Sequence, residues 1–364
     1  MTSVLDLPTP AAVVDVDALR RNIDRMAERA RAAGVALRPH AKTHKCAAVA
    51  RLQIEAGAVG ICCAKLGEAE ALADAGVGSI LVTSPSSTPA LARRAAALRA
   101  RGVDLAVTVD HPEAVEALAE AAEAAGVDLP VLIDVDIGLH RTGVADAGAA
   151  LVVAERIAAA PRLRFRGVQG YGGNLQHIAG LDARRAATTE AAGRLRAVVE
   201  ALRAAGHPVE TVTGGGTGTA QIDMEQGLFT ELQPGSYVFM DKQYRDALGG
   251  DEDGRFETSL TIHSTVISAN HPKFVTLDAG LKAFATDAGA PVAQGTHAGL
   301  SYFFFGDEHG GLMRPADGGL ALGDRIAFMV PHCDPTVDRY SHLHFARGDQ
   351  VVEAVPVEAR GRSA

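Results

Sequence analysis

The segment ALRPHAKTHKC, residues 36–46, carries side chains that are suited to covalent chemistry. We expect its first six residues to form a strand, so that Arg38, His40 and Lys42 project to one face. An amine there could form a Schiff base with a carbonyl substrate or with pyridoxal 5'-phosphate (PLP), if burial and nearby cations favour its neutral form. Arg38, His40 and Lys45 would be those cations. The sequence therefore predicts a reactive amine at Lys42, and a solvated basic turn is the alternative.

Glycines dominate TVTGGGTGTA, residues 211–220, which follows the seventh predicted strand. Successive glycines let backbone N–H groups approach a phosphate closely, and loops after the seventh and eighth strands of a barrel commonly bind one. No Gly-Lys-Ser/Thr follows, so this is not a Walker loop. We predict a phosphate-binding loop, and an ordinary turn is the alternative.

His332 and Asp334 are separated by one residue in FMVPHCDPTVDRY, residues 328–340. On an extended chain both side chains would point the same way, and Cys333 between them would point away. An imidazole and a carboxylate on one face suit a divalent ion of borderline hardness. Two ligands leave most of the coordination shell to water or substrate, and the spacing alone also occurs by chance. We predict a metal site at His332 and Asp334.

Polar side chains also follow three other predicted strands. They are Arg141 in IDVDIGLHRTG, Tyr171 and His177 in GVQGYGGNLQH, and Tyr237 in PGSYVFMD. Functional groups of a parallel barrel cluster at the carboxyl ends of its strands. Buried polar groups must also be hydrogen-bonded, so each of these stretches could be structural instead.

Short apolar runs alternate with Ala-, Arg- and Glu-rich stretches from about residue 20 to residue 245. Runs such as SILVT and PVLIDV are typical of buried parallel strands, and PEAVEALAEAAEAAGV has the spacing of an amphipathic helix. Eight such strands with intervening helices indicate the α/β class and a (β/α)8 TIM barrel, whose strand ends would position the groups described above. An open doubly wound sheet is the alternative.

The pattern changes after the loop GGDEDG. Segments such as TSLTIHSTVISA, KFVTLDAG and DRIAFMVPH alternate with period two and are separated by turn residues, which indicates antiparallel β-structure. We expect a barrel domain over residues 20–245 and a C-terminal antiparallel β-domain over residues 246–364. Residues 1–19 are expected to join the β-domain, and the boundary is expected near residues 246–256.

The chain has 364 residues, of which 47% are hydrophobic and 22% charged, and a net charge of −9. Nucleic acids and anionic membrane surfaces attract clustered positive charge, so we expect neither as a partner. No apolar run reaches the roughly 20 residues that a bilayer requires. The N-terminus does not have the pattern of a signal peptide, and the four cysteines do not form a disulfide framework. These features favour a cytoplasmic location.

The motifs together resemble those of D-threonine aldolases and eukaryotic-type D-serine dehydratases, a family with the fold of alanine racemases. They are RPHAKTHK, GEAEAL, IDVDIGLHRTG, GYGGNLQH, TGGGTGT, PGSYVFMD, GDEHG and PHCDPT, in the expected order over nearly the whole chain. The resemblance implies a PLP enzyme with a barrel domain, a C-terminal β-domain and a small-molecule amino-acid substrate. It also implies a homodimer whose active sites are completed by the partner.

The resemblance further implies roles for individual residues. Lys42 is similar to the Schiff-base lysine, and Arg141 to the group that hydrogen-bonds the phenolic oxygen of PLP. Tyr171 would lie beside the pyridine ring. The phosphate contacts would be Gly215, Gly216, Thr217 and Tyr237.

Members of this family differ at the metal motif. D-Serine dehydratases resemble H-x-C and D-threonine aldolases resemble H-x-D, so His332 and Asp334 of PHCDPT favour the aldolase. A divalent metal there (Mn²⁺, Mg²⁺ or Co²⁺) would hold the β-hydroxyl group of a D-3-hydroxy-amino acid and act as a Lewis acid. His177 is the predicted base for the hydroxyl proton.

The predicted activity is that of a lyase, the retro-aldol cleavage of a D-3-hydroxy-amino acid such as D-threonine to glycine and an aldehyde. One alternative is a dehydratase of D-serine or D-3-hydroxyaspartate on the same site. Another is a non-catalytic PLP-carrier protein, although such carriers resemble the barrel alone. The segment SILVTSPSST, residues 79–88, is richer in Ser and Pro than the family pattern, so the preferred β-substituent is left open.

Overall fold

The computed structural model describes residues 2–85, 88–249, 256–315 and 319–364. The predicted boundary near residues 246–256 and the segment at residues 79–88 therefore lie partly outside the described residues. The strands, in chain order, are β1 (Ala11–Asp15), β2 (Ala36–Leu37), β3 (Ile61–Cys63), β4 (Ser79–Val82), β5 (Asp104–Val109), β6 (Leu129–Asp134), β7 (Leu163–Gly170), β8 (Thr211–Gly214), β9 (Glu231–Leu232), β10 (Leu260–Ser268), β11 (Phe274–Leu277), β12 (Val292–Ala293), β13 (Tyr302–Phe304), β14 (Gly310–Met313), β15 (Arg325–Met329), β16 (His342–Arg347) and β17 (Gln350–Pro356).

Helices separate most of the strands up to β10. The α-helices are α1 (Val16–Ala32), α2 (Ala47–Glu55), α3 (Leu66–Asp74), α4 (Pro89–Ala100), α5 (Pro112–Ala125), α6 (Ala147–Ala159), α7 (Leu181–Ala204), α8 (Ala220–Glu225), α9 (Lys242–Leu248) and α10 (Cys333–Val337). Within the described ranges, none of them is long and apolar enough to cross a membrane.

The chain divides into two compact units, each of which is described by itself. The barrel unit comprises Met26–Lys42, Val49–Gly235 and Gly361–Ala364. The β-unit comprises Met1–Arg25, Thr43–Ala48 and Ser236–Arg360.

The sheet of the barrel unit contains eight parallel strands in the order β2-β9-β8-β7-β6-β5-β4-β3. A parallel bridge between His40, just beyond β2, and Cys62 of β3 joins the two ends of this order, so the sheet curls round on itself. The predicted (β/α)8 barrel is therefore confirmed, and the open doubly wound sheet is excluded.

Local sequence accounts for the alternation of strands and helices. All six residues of β6 are buried, as its continuous apolar sequence requires for a strand covered on both faces. The helix before β6, α5, begins at Pro112 and is capped at its C-terminus by Gly126, which has a left-handed φ of 66°. Proline suits the first turn because its missing N–H has no helical partner there, and glycine suits the left-handed position because it has no Cβ.

A chain of buried polar side chains links neighbouring barrel strands. Glu231 accepts hydrogen bonds from Arg38 Nε and from Thr213 Oγ1, each at 3.1 Å. Gln233 Nε2 donates to Thr213 Oγ1 at 3.1 Å and to Gln169 Oε1 at 3.2 Å. Each group has a partner, which offsets the desolvation that burial costs and specifies how the strands meet.

The sheet of the β-unit has the order β13-β14-β11-β10-β1-β16-β17, and β15 pairs with both β10 and β12. All these pairs are antiparallel except that of β1 with β16, which is parallel. The core of this unit includes Phe284, Tyr302 and Phe328, whose rings meet edge to face at centroid distances of 5.4 to 5.8 Å. The predicted C-terminal antiparallel β-domain is thus present, with one parallel pair supplied by the N-terminal strand.

Candidate active site

Lys42 lies in a 3₁₀ turn at Ala41–Thr43 that follows β2. The predicted strand over residues 36–41 is too long, because the regular ladder ends at Leu37. Pro39 follows two residues later, and a proline has no N–H group with which to continue a ladder. Lys42 therefore reaches its position from a turn, and not from the extended chain on which the expectation rested.

His40 holds this turn in place. Its Nδ1 accepts the backbone N–H of Lys42 at 3.3 Å, and its Nε2 lies 3.0 Å from Thr83 Oγ1. Because Nδ1 is an acceptor, the ring has the tautomer with its proton on Nε2, which donates to the threonine hydroxyl. His40 thus supports the backbone of Lys42, and its role as a nearby cation stays a prediction.

Tyr171 is the point at which three of the predicted residues meet. The Nζ atom of Lys42 and the Cζ atom of Arg141 each lie 5.6 Å from the centroid of the Tyr171 ring. Both distances are within the range in which a cation is attracted to an aromatic face. The structure thus brings together an amine, a guanidinium group and an aromatic ring from three different barrel loops.

The loop that carries Arg141 is anchored immediately after it. Thr142 Oγ1 donates to Asp134 Oδ2 at 2.7 Å, and the backbone N–H of Gly143 donates to Asp110 Oδ2 at 2.9 Å. A Cβ on Gly143 would lie 2.4 Å from the backbone nitrogen of Asp136, so only glycine fits this position. These anchors restrict the positions that the Arg141 side chain can reach.

Asp134 is a buried carboxyl group at the end of β6. Burial raises its pKa to about 6, and hydrogen bonds from Gln169 and Thr142 and the charge of Arg141 oppose that rise. Gln169 Nε2 donates to Asp134 Oδ1 at 2.8 Å, so Asp134 connects the loop of Arg141 to the polar chain between the strands.

The glycine loop, residues 214–219, has no side chains at positions where the surrounding atoms leave no room for a Cβ. Gly215 has a left-handed φ of 67°. A Cβ on Gly216 would lie 2.5 Å from Gln176 Oε1, and one on Gly218 would lie 2.0 Å from the backbone oxygen of Gln176. A bare backbone of this kind can approach a phosphate closely.

Three residues that support the glycine loop were not predicted from the sequence: Gln176, Thr219 and Asp223. Gln176 Oε1 accepts the backbone N–H of Gly218 at 3.0 Å, and its Nε2 donates to Thr219 Oγ1 at 3.1 Å. Thr219 Oγ1 donates to Asp223 Oδ2 at 2.6 Å. Gln176 could have been noticed because it lies in the motif GYGGNLQH, directly before the predicted His177. A side chain that only supports a loop, however, has no sequence pattern that would reveal its contacts.

His177 follows the 3₁₀ turn Gly173–Leu175, in the loop after β7 that also carries Tyr171. Its side chain is partly buried. It therefore belongs to the same loop as a residue of the Lys42 cluster, and its role as a base stays a prediction.

These barrel residues fit the chemistry of PLP. The cofactor has an aldehyde, a phenolic oxygen, an aromatic ring and a phosphate group. Lys42 offers an amine, Arg141 a cationic donor and Tyr171 a flat apolar surface, while the glycine loop offers bare backbone. An amine beside an aromatic ring and a second cation is a set of groups that suits such a cofactor.

Tyr237 and the predicted metal ligands belong to the β-unit. Tyr237 is buried in the 3₁₀ turn Ser236–Val238, and its ring meets that of Phe256 edge to face at 5.5 Å. Its predicted contact with phosphate stays a prediction.

His332 and Asp334 do not lie on an extended chain as predicted. His332 is extended, with φ −144° and ψ 123°, but it is the N-cap residue of α10, and Asp334 lies in the first turn of that helix. The proline-containing sequence CDPTV favours this turn, because proline is well tolerated in the first turn of a helix. Cys333 between them is fully buried, whereas the two predicted ligands are partly exposed.

The surroundings of His332 suit a metal ligand. Its Nδ1 lies 2.7 Å from Asp287 Oδ2, so a carboxylate orients the ring, and Nε2 would be the nitrogen that coordinates a metal ion. Within the described residues, no group of three or more His, Cys, Asp or Glu side chains could hold an ion. A metal site at His332 and Asp334 would therefore need water or substrate for most of its ligands, and it stays a prediction.

Comparisons with known proteins define the class of this chain. Residues 14–243 match the family model of the alanine racemase N-terminal domain, and residues 259–346 match that of the serine dehydratase domain. The chain therefore belongs to the alanine racemase-like family and matches both of these domains.

Individual relatives narrow the class further. The chain is 38% identical to the 3-hydroxy-D-aspartate aldolase of Paracoccus denitrificans (strain Pd 1222), over 98% of this chain and 93% of that protein. It is 38% identical to the D-threo-3-hydroxyaspartate dehydratase of Delftia sp. (strain HT23), over 79% and 75% of the two chains. The crystal structure of D-threonine aldolase from Filomicrobium marinum superposes with a TM-score of 0.95, with 36% identity and coverage of 99% and 98%. These relatives are lyases, and the predicted assignment of this chain to the lyases is confirmed.

Proposed function

We propose that this protein is a PLP- and divalent-metal-dependent aldolase that cleaves D-3-hydroxy-amino acids of the D-threonine type to glycine and an aldehyde. The observation that carries the proposal is the meeting of Lys42 and Arg141 at the ring of Tyr171 in a barrel of this family. The D-threonine aldolase and the 3-hydroxy-D-aspartate aldolase among its relatives support the substrate class.

Three barrel residues would hold the cofactor and the substrate. Lys42 would hold the cofactor covalently, Arg141 would hydrogen-bond its phenolic oxygen, and Tyr171 would pack against its ring. When bound, PLP supplies an electron sink that stabilises negative charge at Cα of the substrate. The bonds of Thr142 and Gly143 anchor the backbone next to Arg141 and so limit where its guanidinium group can lie.

Cleavage of the Cα–Cβ bond requires that the β-hydroxyl group loses its proton. We assign this proton to His177, because a neutral imidazole is a suitable base near pH 7. His332 and Asp334 would hold the divalent ion, which supplies Lewis acidity for the hydroxyl group. After cleavage the amine of Lys42 is the group assigned to return a proton to Cα, which gives glycine.

A dehydratase is the second candidate function, and the 38% identity to the Delftia dehydratase favours it. In that reaction Lys42 removes the proton from Cα, and the hydroxyl group leaves from Cβ. The same cofactor residues serve both reactions, so the choice depends on what acts on the β-oxygen.

Incubation of the PLP- and Mn²⁺-loaded enzyme with D-threonine, L-threonine, D-serine and D-3-hydroxyaspartate tests the proposal. We expect glycine and an aldehyde from D-threonine, and no reaction with L-threonine. A keto acid and ammonia would support the dehydratase instead, and the absence of products from every substrate would support a PLP carrier. We further propose that the enzyme is a cytoplasmic homodimer, and light scattering of the purified protein would measure the assembly.

A further inference from the structure

A buried carboxyl group lies directly behind the glycine loop. Asp223 of α8 is 3% exposed, and its Oδ2 accepts a hydrogen bond from Thr219 Oγ1 at 2.6 Å. A Cβ on Gly215 would lie 2.5 Å from the same Oδ2 atom. The carboxyl group therefore packs against the backbone that is expected to face a phosphate.

Hydrogen bonds connect this carboxyl group to the loop amides. Thr219 Oγ1, which donates to Asp223, accepts the backbone N–H of Gly216 at 3.3 Å and the side-chain amide of Gln176 at 3.1 Å. Asp223 is thus separated from the amide of Gly216 by a single hydroxyl group. A change in the charge of Asp223 would alter the electrostatic potential at the loop amides with little screening, because the intervening groups are buried.

The groups that face Asp223 are neutral. It shares a small cavity with Thr188 and Ala191 of α7, with Gln176 and with Phe229. The other described residues that line this cavity are also uncharged, while Arg184 of α7 donates to the backbone oxygen of Ile178 and Arg185 pairs with Glu225 at the surface. Burial raises the pKa of Asp223 to about 7, and the hydrogen bond from Thr219 opposes that rise.

We propose that Asp223 takes up one proton from solvent when a phosphate group occupies the glycine loop. A phosphate dianion on one side of the loop disfavours a carboxylate on the other side. The only bond formed is the O–H bond of the carboxyl group, and the added proton cancels its charge. The inference rests on the proposed function in one respect, namely that the loop binds the phosphate of PLP.

The direction of the pH dependence follows from this coupling. Below pH 7 most Asp223 is already protonated, so cofactor binding needs little further proton uptake. Above pH 7 each binding event must take up a proton, so the affinity should fall by up to about tenfold per pH unit. In Asp223→Asn no proton is needed, because the asparagine oxygen can accept the bond from Thr219 without a charge.

PLP titration of the apoenzymes of wild type, Asp223→Asn and Glu225→Gln tests the inference. Glu225→Gln is the matched control, since it removes an exposed carboxylate from the same helix. Calorimetry in two buffers of different ionisation enthalpy, at about pH 6 and about pH 8.5, counts the protons taken up. Comparison between variants cancels the ionisation of PLP itself.

At the higher pH, wild type and Glu225→Gln should take up nearly one proton more than Asp223→Asn, and Asp223→Asn should bind PLP about 30-fold more tightly. Equal proton uptake in all three proteins would overturn the inference while leaving PLP binding intact. Failure of all three to bind PLP would overturn the proposed function as well.

If Asp223→Asn does not fold, Thr219→Val provides the second test. Loss of its hydroxyl should move the fall in affinity to higher pH, and an unchanged pH profile would contradict the inference.

Discussion

The two units of this protein hold their candidate functional groups in different ways. In the barrel unit, Gln176 and Asp134 are 1% and 4% exposed and connect whole loops to buried hydrogen-bonded networks. In the β-unit, the His332 ring is oriented by a hydrogen bond to Asp287, whose side chain is 55% exposed.

This difference suggests a division of tasks. Buried, fully bonded loops are preorganised and cost no rearrangement when a group binds. A partly exposed pair with two protein ligands binds a metal ion more weakly and leaves room for substrate in the coordination shell. We therefore expect the cofactor to stay bound through purification and the metal ion to exchange readily.

The largest effect is expected from Lys42→Ala. Loss of the amine removes the covalent attachment of PLP, so the protein should lose its yellow colour on dialysis and its activity should fall by about a thousandfold or more. Absorbance spectra of the dialysed protein measure the first effect. Lys45→Ala, three residues along the chain, is the comparison; loss of colour there but not in Lys42→Ala would show that the reactive lysine is misassigned.

A chelator should remove the metal ion and leave PLP bound. EDTA should abolish activity while the colour of bound PLP stays, because Lys42 and the glycine loop do not depend on the metal. Asp334→Ala should have the same effect, and added Mn²⁺ should restore the EDTA-treated wild type but not the variant.

Cys333→Ser is the matched control for Asp334→Ala. The thiol of Cys333 is fully buried, so its replacement should leave most of the activity. If Cys333→Ser abolished activity and Asp334→Ala did not, the thiolate would be the ligand and the dehydratase would gain support.

A smaller effect is expected from Asp287→Ala. This change removes the carboxylate that orients His332, and loss of such a partner typically lowers metal affinity by about 10- to 100-fold. Titration of activity with Mn²⁺ should show a higher half-saturation concentration and an unchanged maximum. An unchanged titration curve would mean that Asp287 does not orient the ligand.

Sequence reasoning predicted the fold because the signals for it are local. Continuous apolar runs, helical spacing and period-two alternation each report on a short segment, and the barrel strand β4 begins at the first residue of the predicted run SILVT. Strand β2 is shorter than the predicted strand over residues 36–41. Pro39 cannot continue the ladder, and the backbone N–H of Lys42 donates to His40 Nδ1 in a turn.

The candidate site was predictable only in part, for a physical reason. Lys42, Arg141 and Tyr171 lie in distinctive motifs, and the structure brings them together. Gln176 acts through Gly218, 42 residues further along the chain, and nothing near Gln176 in the sequence indicates that contact. Similarly, Asp223 has the appearance of an ordinary helical residue until its burial is known.

The central claim is that the enzyme breaks the Cα–Cβ bond and not the Cβ–O bond. Reaction of D-threonine in D₂O with the PLP- and Mn²⁺-loaded enzyme, followed by NMR and mass spectrometry of the products, tests it directly. Aldol cleavage retains the α-hydrogen and replaces Cβ with a solvent deuteron, so we predict glycine with a single deuteron together with acetaldehyde. Formation of 2-oxobutanoate and ammonia without glycine would contradict the account.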